Sequence, residues 1–242
     1  AHAVEHLANF TGILQADAYA GYNELFKPGR TPAPITRALC WAHARRKFFE
    51  QADLAGQLKR KPELAPVISP MALEAVARID RIFDIERAIA SRPAAERLTI
   101  RQELAAPLVT ALEQWLRAER ATMSRHGPIA KAIDYMLKDW PAFTGFLDDG
   151  RICLTNNAAE RALRGIALGR KSWLFAGSGR GGQRAAFMYS LIVTAKLNGI
   201  DPQAWLADAL ARIADIPQHR LGELLPWNWQ PGQAISLIAK AA

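Results

Sequence analysis

The sequence predicts a mostly α fold with a small parallel β element near its start. Two short apolar segments, Ile13–Ala16 and Ile35–Trp41, flank a stretch of helical spacing. From His43 to about Leu147 one helix-period stripe follows another, and mixed signals return after that. With 242 residues, half of them hydrophobic and 22% charged, the chain can bury a substantial core, which excludes a disordered polypeptide. No apolar run approaches the ~20 residues of a membrane span, so no membrane partner is expected. Ala1–His6 lacks the basic start and apolar run of a signal peptide, and the absence of an initial Met suggests a fragment or a processed chain. Two cysteines, Cys40 and Cys153, are too few for a disulfide framework and favour a reducing, cytoplasmic compartment.

Each element has its own signal. Val4, Leu7 and Ala8 share a face of an opening helix that stops before Gly12. Ile13-Leu14-Gln15-Ala16 reads as a strand ending at Asp17. Tyr19, Tyr22, Leu25 and Phe26 recur at helical spacing, and Lys27-Pro28-Gly29 ends that helix. Ile35 to Trp41 reads as the second strand, so strand, helix and strand form one right-handed crossover with parallel strands. The helical region carries the stripes Val76/Ile79/Phe83, Leu108/Leu112/Trp115/Leu116 and Ile129/Ile133/Met136/Leu137/Trp140. Pro62, Pro66, Pro70, Pro93, Pro107, Pro128 and Pro141 serve as breaks or first-turn residues. Asn157-Ala158-Ala159-Glu160 opens a later helix. Trp173–Ala176 reads as a strand or buried loop, Gly177–Gly182 as a glycine loop, and Gln183–Leu197 as an apolar helix capped by Gly199. Asp201-Pro202 starts a last helix with Leu206, Leu210 and Ile213 on its face. These signals divide the chain into 1–42, 43–148, 149–200 and 201–242.

The net charge of +8 favours an anionic partner. Residues 151–184 carry Arg151, Arg161, Arg164, Arg170, Lys171, Arg180 and Arg184 against a single acid, Glu160. Phosphates are the natural counter-charge, although a solvated surface has the same composition. A second basic cluster is Arg37, Arg45, Arg46 and Lys47. Gly177–Gly182 matches G-x-G-x-x-G, but no strand follows and Asp201 is better placed as a helix cap, so no nucleotide cofactor is expected. The loop is either a plain turn or a basic loop that approaches phosphates. Cys40 and His43 have ligand spacing, yet four zinc ligands are not found together. Asp17 lies at the carboxyl end of its strand, where open α/β sheets place ligands and where turn residues are also common. Glu160 fits a capping box with Asn157 as cap. As a lone ionised carboxylate among cations it could equally bind a hard cation.

The segments Gly150-Arg151, Thr155–Arg164, Gly169–Ser178, Tyr189–Leu191, Ala195–Gly199 and Leu224–Trp227 together resemble the signature of the insertion-sequence-66 family of DDE transposases. Leu14–Tyr22 and Cys40–Phe48 are similar too. The resemblance implies a partial ribonuclease H-like α/β fold interrupted by an all-helical insertion, His43 to Leu147. It implies an Asp-Asp-Glu set holding two Mg²⁺ ions for phosphodiester cleavage and strand transfer. Asp17 would be the second aspartate and Glu160 the glutamate, both catalytic and metal-binding. The first aspartate would precede residue 1, so this chain alone is expected to bind Mg²⁺ weakly or not at all and to be inactive as a strand transferase. The alternative is a DNA-binding remnant without chemistry. Implied partners are transposon-end and target DNA, with a homo-oligomer assembled on DNA and location at the nucleoid. Arg161, Arg164, Arg170, Lys171, Arg180, Arg45 and Arg46 are the expected DNA contacts. His43 is placed near Asp17, with a surface helix start as the plainer reading.

Overall fold

The computed structural model describes residues 2–53, 68–173 and 176–230 and divides into two compact units, 1–158 and 159–242. Pro62 and Pro66 lie outside the described residues. Unit 1 holds a two-stranded parallel sheet, β1 (Gly12–Ala16) and β2 (Ile35–Leu39), paired from Gly12↔Ile35 to Ala16↔Leu39. The opening helix α1 is short, His2–His6.

The crossover differs from the expected α-helix. Ala20–Phe26 is a 3₁₀ helix. Tyr22 and Leu25 are three apart, the 3₁₀ period, and Leu25 is buried, whereas Tyr19 is the extended residue before the helix and stays exposed. After Lys27-Pro28 the chain turns at Gly29, whose φ of 79° suits glycine. The second strand is also shorter than its apolar run. Trp41 is not its end but the first residue of α2 (Trp41–Ala52). Its backbone N–H goes to Leu154 O at 3.0 Å, and its indole Nε1 to Phe143 O at 2.9 Å. Three rings, Trp140, Phe143 and Phe146, meet it edge-on with centroids 5.8–6.1 Å away. Aromatic packing therefore takes Trp41 out of the ladder.

Behind the sheet lie α3 (Pro70–Ala88), α4 (Ala94–Ile100), a π-helical turn (Arg101–Ala105), α5 (Ala106–Thr122), α6 (Pro128–Leu137) and α7 (Trp140–Thr144). Pro70, Pro128 and Pro141 stand in first turns, where a missing N–H costs nothing, while Pro107 follows the π-helical turn in a helical run unbroken from Ala94. Ser69 caps α3 by accepting from Ala72 N at 3.3 Å. The predicted stripes supply the core: Ile79 and Ile82 from α3, Leu112 and Leu116 from α5, Ile133 and Met136 from α6, closed by Phe48 of α2. Arg101 is fully buried. It makes a two-pronged pair with Glu86, both contacts 2.7 Å, and donates to Phe146 O at 3.1 Å. Gly150 follows, and a Cβ there would run into the Ala94 carbonyl.

Unit 2 contains most of α8 (Asn157–Trp173), together with α9 (Gly179–Leu197) and α10 (Pro202–Arg212). Trp173 is helical, which excludes a strand beginning there; Leu174 and Phe175 lie outside the described residues. The glycine segment is a turn only at Gly177 and Ser178. Gly179 already starts α9, because Ser178 accepts from Gly181 N at 3.0 Å and caps it. Tyr189 Oη donates to Ala162 O at 2.7 Å and its ring lies over Gly165. Gly199, with φ of 70°, ends α9, and Asp201 caps α10 by accepting from Gln203 N at 3.0 Å. The buried face of α10 is Trp205, Asp208 and Ala209, whereas Leu210 and Ile213 are exposed. The register follows hydrogen bonds rather than aliphatic spacing. Trp205 Nε1 donates to Leu224 O at 2.8 Å, and Asp208 Oδ2 accepts from Arg212 at 3.0 Å and Trp229 at 2.8 Å.

Candidate functional site

Parallel pairing carries Asp17 and the start of α2 to the same end of the sheet. Ala16 is level with Leu39, and only Cys40 separates Leu39 from α2. His43, Arg46, Lys47 and Glu50 then fall at i, i+3, i+4 and i+7, one face of that helix. With Asp17, Ala18, Tyr19 and Tyr135 they line a cleft of about 350 Å³.

Within the cleft, Asp17 Oδ1 accepts the Tyr19 backbone N–H at 3.2 Å, which satisfies the turn reading of this residue. Its other oxygen has no hydrogen-bond partner among the described residues. Lys47 Nζ lies 4.4 Å from the Tyr135 ring centre. Burial pushes the Tyr135 phenol above its ordinary pKa, against a backbone hydrogen bond from Ala18 that acts the other way. Arg46 and Lys47 are exposed and form no ion pair among the described residues. The rest of the second basic cluster is engaged. Arg37 pairs with Asp139 at 2.7 Å, and Arg45 grips Asp80 with two contacts of 2.6 and 2.8 Å. The Asp80 hydrogen bond raises the Arg45 pKa. The structure therefore brings His43 and Arg46 to Asp17 but commits Arg45 to α3. Sequence reasoning did not reach Glu50 or Tyr135. The heptad spacing from His43 could have found Glu50, while Tyr135 comes from a distant helix.

In α8, Glu160 is exposed and is the fourth helical residue, because the helix starts at Asn157 itself. That start breaks the expected capping box, since with Asn157 as the first helical residue the third is Ala159 and not Glu160. Arg161, Arg164 and Arg170 on α8, and Arg180 and Arg184 on α9, are exposed without ion pairs among the described residues. The Lys171 side chain lies outside the described residues. Arg151 belongs to unit 1 and pairs with Asp149 at 2.6 Å. Among the described residues no three His, Cys, Asp or Glu side chains gather as a metal group, and no helix is long and apolar enough to cross a membrane.

Comparison with known proteins puts the sequence in a transposase family. Residues 1–184 match the Transposase IS66 family and residues 190–227 the IS66 C-terminal element, and the chain belongs to that family. It is 53% identical over 240 residues to the uncharacterized protein y4hP of Sinorhizobium fredii, covering 99% of this chain and 44% of the relative. It is 40% identical to y4jD of the same organism, over 96% of this chain and 44% of the relative. A short stretch, 40 residues or 16% of the chain, is 48% identical to the uncharacterized protein YuaK of Escherichia coli, covering 43% of that protein. The chain thus spans less than half the length of y4hP and y4jD. No solved structure matches.

Proposed function

We propose that this chain is part of a DNA transposase that cuts and joins phosphodiesters with divalent metal ions, Asp17 and Glu160 being two of its carboxylate ligands. One observation carries the reading: Asp17 stands at the carboxyl end of a parallel strand, in a cleft with Arg46 and Lys47. The order of strand, crossover, strand, helical insertion and Glu160 helix supports a ribonuclease H-like core as part of the same proposal. So does the path of the chain toward α8. Gln15 Nε2 donates to Cys153 O, and Leu154 O accepts from Trp41 N, so that segment is tied to β1 and to the start of α2.

The donor chemistry fits a hard cation such as Mg²⁺, since Asp17 lines the cleft and one of its carboxylate oxygens has no hydrogen-bond partner among the described residues. When bound, the ion supplies Lewis-acid stabilisation and an activated attacking oxygen. The chain's own residues hold the DNA. Arg46 and Lys47 neutralise the phosphate beside Asp17, and Arg161, Arg164, Arg170, Lys171 and Arg180 take flanking phosphates. Transposon ends, target DNA and a further copy of the chain are the partners.

The test is Mn²⁺ titration of the 242-residue chain followed by electron paramagnetic resonance. Asp17→Asn and Glu160→Gln should each weaken binding by at least the roughly 10-fold seen when even an outer-shell partner of a metal ligand is lost. If either variant binds Mn²⁺ as the parent does, the two carboxylates do not share an ion and the reading falls. The exposed arginines of α8 and α9 favour one second reading, DNA binding without chemistry. Salt-dependent DNA binding with no Mn²⁺ response to either substitution would select it.

A further inference from the structure

We infer that the cleft beside Asp17 seats one unpaired nucleotide of a DNA strand, its phosphate on Arg46 and Lys47 and its base against the ring of Tyr19. The inference rests on the DNA reading above and names the form of DNA that this site takes. Tyr19 is 64% exposed although it lines the cleft, an unusual position for a large aromatic ring in a crossover that buries Leu25. The ring is nevertheless held. Tyr22 meets it edge-on at 5.7 Å, its own backbone N–H is fixed to Asp17 at 3.2 Å, and Gly21 leaves room that a Cβ would fill. A positioned, solvent-facing ring is what a stacked base requires, and every base offers a π-face to it.

Charge in the cleft sets where the phosphate goes. Asp17 and Glu50 repel it, while among the described residues Arg46 and Lys47 have no acidic partner and Lys47 lies against the Tyr135 ring. His43 completes the wall. The volume, about 350 Å³, is at the small end of ligand pockets and suits one nucleotide rather than a duplex. A nucleotide seated in this way would place its backbone against the carboxylate assigned above to the metal.

The experiment is fluorescence anisotropy of the 242-residue chain with an oligothymidylate of about ten nucleotides and with a blunt duplex, at several salt concentrations. Tyr19→Ala should weaken single-strand binding about tenfold with the salt dependence unchanged, and Tyr19→Phe should restore it. Gly21→Ala, which pushes the ring aside, should weaken it in the same direction. Arg46→Gln should lower the logarithmic salt slope by about 0.7. Wild-type single-strand affinity in Tyr19→Ala, or an equal loss on the blunt duplex, overturns the inference. Should that happen while neutralising Arg161 and Arg164 still weakens binding, DNA binding stands and only the cleft assignment falls. An Mn²⁺ response that fails while the Tyr19 effect holds sinks the metal reading and supports this one.

Discussion

Replacing Arg101 with Met should destabilise unit 1 by about 3–5 kcal/mol, the cost of orphaning one member of a buried ion pair. The size follows from what is left behind. Glu86 would keep only Arg97, whose Nη2 is 3.8 Å away, in place of two contacts of 2.7 Å. The Phe146 carbonyl would lose a donor at 3.1 Å, worth about 1–3 kcal/mol when a buried group is stranded. With a urea m-value of about 2 kcal/mol/M, the midpoint of the far-UV circular dichroism transition should fall by roughly 1.5–2.5 M. The double variant Arg101→Met/Glu86→Leu removes the stranded charge and should recover about 2 kcal/mol of the loss. A single-variant loss under about 1 kcal/mol would refute the reasoning, as would a double variant less stable than Arg101→Met.

Other outcomes follow from the same geometry. Asp149 is held down to about 2 by hydrogen bonds from the Arg151 side chain and backbone. Its contribution to stability should be complete above the ordinary 3.8 and disappear as pH falls through about 2. A carbon-detected NMR titration should place its midpoint there, and Arg151→Gln should move it back up. Neutralising Arg161, Arg164, Arg170 or Arg180 should each lower the salt slope of duplex binding by about 0.9, whereas Arg45→Gln, whose cation is committed to Asp80, should leave the slope unchanged. Tyr189→Phe should cost about 1 kcal/mol through the lost bond to Ala162 O, read by urea unfolding of unit 2.

Much of the fold was legible because period and punctuation agree. The stripes through Ile79, Leu112 and Ile133 turned inward as their spacing required, and Pro70 and Pro128 marked helix starts. What was not legible depends on partners distant in sequence. Trp41 reads as strand until Phe143 and Leu154 claim its N–H groups. The three-residue spacing of Tyr19, Tyr22 and Leu25 supports either helix type in so short a stretch. Glycines 177–182 suggest a loop by composition, yet one serine hydroxyl at position 178 starts a helix among them. In the site, Asp17 and Arg46 could be read from strand order. The fate of Arg45 could not, because only packing decides which neighbouring arginine meets Asp80.

The single residue between β2 and α2 leaves the junction almost no slack. Asp17 is locked to Leu39 through the ladder, and His43, Arg46 and Lys47 are locked to Leu39 through the helix. The backbone segments that carry the acid and the cations therefore move together in any rearrangement of unit 1. Their mutual spacing is tuned by strand register, so a one-residue slip in β1 would spoil the whole cluster at once.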